Sequence, residues 1–451
     1  MADRYDAIVI GAGPVGQVCA GELADGGMKV AIVERELVGG ECSYWACIPS
    51  KTLLRPGEAV EAAREVDGAA EAVTGSLDLA KALEYRDFMT SSWDDTGALG
   101  WLEGKGIDLL RGEGRIAGPG KVEVGSDSGS GSDEYSCDQI VVATGSSPVI
   151  PPIDGLRELD GVWTNREATE FKELPASVVV LGGGPVGVEM AQVFRRFGSE
   201  VTLCEGESRL LPREPESVGE AVGSALADEG IVLRLGEHAS SAAHEDGRYV
   251  LRFGDDEVRG EKLLVATGRR ARVDDIGLET VGIEPARQGI EVDASLRAGD
   301  GVWAIGDATG IMPFTHVGKY QARVAARAML GDSSARADYR AVPRVVFCDP
   351  QVAAVGEASG AATGTAQLSG VARTSTYTRE YASRPGFLTL VSDGSKLVGA
   401  YAVGPEAGEW LQQATLAVRA EVPLEVLRDT IQPFPTFSEA FVNALVDLGA
   451  P

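Results

Sequence analysis

The sequence predicts an α/β protein built around two copies of one βαβ unit, and three observations carry that reading. The first is an internal echo. "AIVIGAGPVGQVCAGELADGGMKVAIVE" (7–34) and "VVVLGGGPVGVEMAQVFRRFGSEVTLCE" (178–205) share one layout. Each has an apolar run, a G-x-G-x-x-G turn, a helix-like segment and a second apolar run ending in Glu. The second is spacing: Gly11 to Glu34 and Gly182 to Glu205 are both 23 positions apart. The third is another pair of echoes, "DQIVVATGSSP" (138–148) and "EKLLVATGRRA" (261–271). Each sets Ala-Thr-Gly at the end of an apolar strand that returns the chain to its own sheet.

Each element of the unit has a physical reason. The first glycine (Gly11, Gly182) permits a tight strand-to-helix turn, and the second (Gly13, Gly184) lets backbone amides approach a pyrophosphate. The third (Gly16, Gly187) lets helix and strand pack closely, and the helix N-terminus adds positive potential. Pro14 lies inside the first motif. A carboxylate ending the second strand, Glu34 or Glu205, is placed to hold ribose hydroxyls. The Ala-Thr-Gly segments bring Thr144, Gly145 and Gly268 beside the bound nucleotides. "DGVWAIGDATG" (300–310) adds a strand ending in Gly306-Asp307, whose carboxylate suits a polyol. Two Rossmann-like dinucleotide sites on one chain suggest a flavin and a nicotinamide, one reducing the other. Glu205 favours the free hydroxyls of NADH over the extra phosphate of NADPH, a preference that the nearby Arg209 would soften.

Composition narrows the partners. The 451 residues allow about three domains, and 44% apolar with 24% charged residues describes a soluble globular chain. With 68 acidic against 41 basic residues the net charge is −27, a surface that repels nucleic-acid backbones and anionic membranes. The apolar stretch Ala7 to Ile10 is far too short for a signal-peptide core, and no run approaches a membrane span. Six cysteines (19, 42, 47, 137, 204 and 348) are scattered except for one close pair. That pattern fits a reducing compartment, the cytoplasm, rather than a secreted disulfide framework. Four of them (19, 137, 204 and 348) sit in apolar contexts and read as packing residues.

The close pair lies in "GGECSYWACIPSK" (39–51). A structural metal site needs four Cys or His ligands, commonly in closely spaced pairs. Here Cys19, Cys137 and the three histidines are distant in sequence, so no metal is expected. Core packing does not explain why both thiols follow Gly39-Gly40 and precede Pro49-Ser50. A redox pair does: five residues apart at a helix start, Cys42 and Cys47 reach each other if that turn is distorted, and a helix N-terminus favours the thiolate.

With these motifs in order, the chain resembles the flavin- and pyridine-nucleotide-dependent disulfide oxidoreductases: lipoamide dehydrogenase, glutathione reductase, mercuric reductase and relatives. The resemblance runs from about 5 to about 445 and rests on Gly11 to Gly16, Glu34, Cys42-x4-Cys47-Ile-Pro-Ser-Lys51, both Ala-Thr-Gly segments, Gly182 to Glu189, and Gly306-Asp307. "PRVVFCDPQVAAVG" (343–356) and "FPTFSEAF" (434–441) look like the opening and close of the family's α+β dimerisation domain. The resemblance implies an FAD-binding domain over 1–150, an NAD(P)-binding domain over 151–267, a second FAD part over 268–337 and an interface domain over 338–451. It implies that Glu34 binds the adenosine ribose of FAD and Asp307 its ribityl chain, with His316 on a helix aimed at the flavin. Cys47 becomes the charge-transfer thiol and Cys42 the interchange thiol, while Lys51 and Glu189 pair near the reactive flavin nitrogen. The implied protein is a homodimer that passes electrons from NADH, or NADPH, through FAD to Cys42–Cys47 and then to a disulfide.

Two departures reshape that expectation. Between the cysteines stand Ser43, Tyr44, Trp45 and Ala46, where relatives usually carry a small apolar residue, Asn, a variable residue and Gly. The two aromatics would either form a platform for a flat acceptor or pack against the partner subunit. The family's closing motif is His-Pro-Thr-x-x-Glu, and here it reads Phe434-Pro435-Thr436-Phe437-Ser438-Glu439. Phenylalanine moves no proton, and general acid–base help is typically worth about 10²–10⁴-fold. Glu439 therefore lacks the histidine it would orient. Tyr44 and Tyr320 are the candidate replacement hydroxyls, and a quinone or other small acceptor is the alternative to a disulfide. Two segments read as surface without chemistry: a Gly/Ser/Asp-rich hairpin tip within 122–138, and 360–370.

Overall fold

Apolar β-branched runs that end in glycine turns build the sheets of this protein, and the computed structural model describes residues 4–125, 131–378 and 386–449. The chain divides into two compact units. The first comprises 1–49, 85–149 and 268–338; the second comprises 50–84, 150–267 and 339–451.

The first unit is organised on a mainly parallel sheet. Arg4–Ile10 lies at its centre, flanked by Val30–Glu34 on one side and Ser132–Val142 on the other. Asp108–Arg111 continues one edge, and Val302–Ala304 with antiparallel Arg297–Gly299 continues the other. Ile8, Val9, Ile32, Ile140 and Val141 are fully buried, as strands covered on both faces require. Chain order reverses at Arg4–Ile10, so the first glycine loop stands at the sheet's switch point, where such folds bind ligands. The helices Pro14–Asp25 and Thr315–Met329 cover one face; Gly318 is needed between them, because a Cβ there would lie 2.4 Å from Val15 Cγ2. Lys121–Gly125 pairs antiparallel with Ser132–Val142, consistent with the hairpin read from sequence, whose tip at 126–130 lies outside the described residues.

The second unit holds a parallel sheet ordered Val232–Leu235, Glu200–Glu205, Ser177–Leu181, Lys262–Val265, with Pro185–Phe197 crossing over from its second glycine loop. A separate antiparallel sheet runs Pro343–Val346, Gln351–Gly356, Leu397–Gly404, Phe387–Ser392, Ala362–Gln367. The last of these strands corrects the reading of 360–370 as featureless surface. Its alternating burial was masked by Ala, Thr and Gly, which give a weak hydrophobic signal. Gly364 lets the helix Glu439–Asp447 close on it, since a Cβ there would meet Ala444 O at 2.2 Å.

Candidate active site

The glycine loops carry out their two backbone tasks alike. Gly11 (φ +106°) and Gly182 (φ +115°) turn through a region closed to most side chains, and a Cβ on Gly16 or Gly187 would fall 1.9 or 1.8 Å from the carbonyl oxygen of Gly11 or Gly182. Gly13 and Gly184 differ. A Cβ on either meets no atom within 4 Å, leaving an open cradle ahead of the helices Pro14–Asp25 and Pro185–Phe197. The strand-ending carboxylates are also held alike. Glu34 accepts from the Ala12 amide (2.9 Å) and the Glu36 amide (2.8 Å), and Glu205 accepts from those of Gly183 (2.6 Å) and Glu207 (2.9 Å).

Around the first loop, Thr144 donates to the Arg272 carbonyl at 2.6 Å, and Gly145 takes the Arg272 amide at 2.9 Å. Asp307 accepts a 2.6 Å hydrogen bond from Ser146, which itself accepts from Arg269 Nε at 2.8 Å. Gly268 turns with φ +132° and leaves open space. An open glycine cradle at a helix N-terminus, a pinned carboxylate and Asp307 fit the pyrophosphate, ribose and ribityl parts of FAD.

The cysteines lie on two helices, not one distorted turn. Gly40–Tyr44 ends at Trp45 (φ −135°, ψ 4°), and Cys47–Arg64 begins two residues later. Gly39 donates to the Ala12 carbonyl at 2.9 Å, and a Cβ on Gly40 would lie 2.9 Å from Gly13 Cα, which ties this segment to the first loop. The break brings the two thiols into hydrogen-bonding contact. Both also converge on Thr315, whose hydroxyl donates to Cys42 Sγ at 3.2 Å and lies 3.6 Å from Cys47 Sγ. Contact with Cys47 and burial push the Cys42 thiol far above its ordinary range, against smaller downward pulls from Thr315 and Lys319. Cys47 is the first residue of its helix. Just before Cys42, the half-buried Glu41 faces Arg272 (3.4 Å) and Arg269 (3.8 Å).

In the second unit, Lys51 Nζ reaches Glu189 Oε2 at 2.7 Å, and Oε1 takes the Phe347 amide at 2.9 Å. The Glu189 side chain is only 5% exposed, and the ammonium also sits 4.9 Å from the Phe347 ring centre.

Several expectations change. Tyr44 and Trp45 are buried against one another, ring centres 5.7 Å apart, with the Tyr44 hydroxyl donating to the Val38 carbonyl. They form neither an acceptor platform nor a partner-facing surface, because the helix break turns them into their own unit. Tyr320 is occupied too, accepting from the Asp338 amide at 2.8 Å. His316 is exposed and stacked on Phe314, while its neighbour Thr315 is the residue that touches the thiols. Arg209 turns to the carbonyls of Pro212 (3.2 Å) and Glu214 (3.4 Å). Phe434 is 75% exposed, and Glu439 Oε2 is buried with no hydrogen-bond partner among the described residues. Cys19, Cys137 and Cys204 are buried and pushed up to about 12, chiefly by desolvation, and Cys348 is also buried. Sequence reasoning missed Thr315, Lys319, Glu41, Ser146 and the Phe347 amide. The only sequence hint to the first was its place beside His316.

Fold and site together define a two-nucleotide redox enzyme, and comparison with known proteins identifies its kind. Residues 5–326 match the family model described as pyridine nucleotide-disulphide oxidoreductase, and 342–445 match that family's dimerisation domain. A mercuric reductase of Acidithiobacillus ferrooxidans is 35% identical over 444 residues, covering 96% of this chain and 80% of that protein. A dihydrolipoyl dehydrogenase of Thermus scotoductus is 35% identical over 459 residues, covering 98% and 96%. Among solved structures, the Cu(II) complex of the HOCl-induced flavoprotein disulfide reductase of Escherichia coli superposes with a TM-score of 0.86 at 27% identity, covering 98% and 99%. The chain belongs to the pyridine nucleotide-disulphide oxidoreductase family. It is an FAD-dependent enzyme of that family, and its dimerisation domain supports a homodimer. Among the described residues no helix is long and apolar enough to cross a membrane, and no group of three His, Cys, Asp or Glu could hold a metal ion.

Proposed function

We propose that the protein is an NADH-dependent reductase of a disulfide or related thiol compound, with Cys42 and Cys47 as its redox-active pair. The observation that carries this reading is the meeting of the two thiols, from separate helices, on the Thr315 hydroxyl. FAD, when bound, supplies the two-electron transfer between nicotinamide and the pair. In this reading Gly11, Gly13, Pro14, Gly16, Glu34, Thr144, Gly145, Asp307 and His316 hold FAD, and Gly182, Gly184, Gly187 and Glu205 hold the nicotinamide nucleotide. Lys51 is oriented by Glu189, which is itself fixed by the Phe347 amide. The engagement of Arg209 with two carbonyls supports NADH over NADPH, since it leaves Glu205 to face the ribose. The cytoplasm is the compartment proposed, in keeping with scattered cysteines apart from the one close pair.

A second reading keeps the cofactors and changes the acceptor to a quinone or other small oxidant. Phe434 and the unpartnered Glu439 Oε2 favour it, because such an acceptor does not depend on a histidine at that place. Replacing Cys42 and Cys47 by Ser separates the two. Under the leading reading disulfide reduction falls to background; if the double variant still reduces disulfides at the wild-type rate, that reading is wrong. Quinone reduction that survives in the double variant belongs to the flavin alone.

A further inference from the structure

A thiol that attacks without a histidine must be made reactive by other groups, and those around Cys42 are few. Among the described residues, the titratable or charged groups acting on it are Cys47, at the start of its own helix, and Lys319, one turn along Thr315–Met329. The neighbouring Glu41 is held by Arg269 and Arg272. Thr315, at the first position of the same helix as Lys319, donates its hydroxyl proton toward Cys42 Sγ at 3.2 Å. We infer that Thr315 and Lys319 activate Cys42 as the attacking thiol, in place of the histidine that the closing motif lacks. The inference rests on the disulfide-reductase reading and names the residues that make it workable.

The chemistry balances with solvent as the proton carrier. The Cys42 thiolate attacks one sulfur of R–S–S–R′ and forms a mixed disulfide, and the R′S⁻ group leaves with the bonding pair. Cys47 then attacks the Cys42 sulfur, restoring the Cys42–Cys47 bond and releasing RS⁻. The one proton given up by the reduced pair passes through water to R′S⁻. Thr315 stabilises the attacking anion through a hydrogen bond, and Lys319 does so through its charge. Thr315 touches a reacting atom and is catalytic in that sense, whereas Lys319 acts at a distance and is a positioning charge. The two effects separate by salt, since a charge acting at a distance is screened and a direct hydrogen bond is not.

The test follows the alkylation rate of Cys42 by iodoacetamide against pH in the reduced holoenzyme, read by mass spectrometry. Thr315→Val is expected to move the reactivity midpoint up by about one to two pH units, the worth of one hydrogen bond to an ion. Thr315→Ser is expected to stay near wild type. Lys319→Met is expected to give a smaller upward shift, under about one unit, and to remove its salt dependence. A Thr315→Val enzyme that alkylates both thiols with the wild-type midpoint overturns the role of Thr315. An unchanged Lys319→Met profile at low salt overturns that of Lys319. If reduction of wild-type enzyme exposes no reactive pair at all, the disulfide-reductase reading fails first and this assignment falls with it.

Discussion

Replacing Gly184 by Ala tests the nucleotide cradle without disturbing the fold. A Cβ at Gly184 meets no atom within 4 Å, and the backbone there (φ −75°, ψ −178°) is one that any residue adopts. The substitution should therefore change stability by less than about 1 kcal/mol, in the stabilising direction. Its methyl group projects into the space where the pyrophosphate must approach the helix N-terminus. Losing one charge-assisted hydrogen bond costs about 1.5–3 kcal/mol, so NAD⁺ affinity should fall roughly 10–100-fold. Gly187→Ala is the contrasting control. Its Cβ would lie 1.8 Å from the Gly182 carbonyl oxygen, a backbone atom that cannot turn aside, at a cost on the order of 1–3 kcal/mol or more. Calorimetric NAD⁺ titration and thermal melting on both variants read binding and stability separately. Wild-type affinity in Gly184→Ala would refute the placement of a pyrophosphate over this loop.

Three further perturbations follow from the geometry. Lys51→Met leaves the buried Glu189 carboxylate with the Phe347 amide as its partner among the described residues, and because Lys51 is partly exposed the loss should be about 1–3 kcal/mol in urea denaturation; Glu189→Gln should cost less, and the reverse order would contradict the pairing. Phe434→His supplies a titratable group at the closing motif and should raise turnover of simple disulfides by up to about 10²-fold, while an unchanged rate would show that the missing base is not limiting. The buried thiols of Cys19, Cys137 and Cys204 are raised from 9.0 to about 12 in the folded chain. Their stabilising contribution is complete below pH 9 and is lost as pH rises towards 12, so the melting temperature should fall across that window, less steeply in Cys19→Ala.

The parts of this molecule that were legible in its sequence are those where the backbone dictates the residue. Gly11, Gly16, Gly182 and Gly187 answer to a turn or a close approach that no side chain survives, and the matching offsets to Glu34 and Glu205 follow from the strand and helix lengths between. Lys51 and Glu189 are 138 positions apart, so only the resemblance to a family pointed to that pair. Thr315 was illegible for the same reason, reaching Cys42 across 273 positions with no periodicity to announce it. The direction of Tyr44 and Trp45 hinged on where the helix breaks, and the composition of "CSYWAC" does not state that. Arg209 was read from proximity in sequence, but two nearby carbonyls claimed its guanidinium instead.

The central claim is that Cys42 and Cys47 form a working redox pair beside the flavin, and anaerobic titration of the holoenzyme with NADH tests it most directly. Contact with Cys47 and burial favour the protonated form of Cys42, and Cys47 opens the helix that follows. Two-electron reduction should therefore produce a long-wavelength thiolate–flavin absorbance, together with two newly alkylatable thiols per chain. Direct bleaching of the flavin at that stage, with no long-wavelength band and no gain in thiols, would contradict the account.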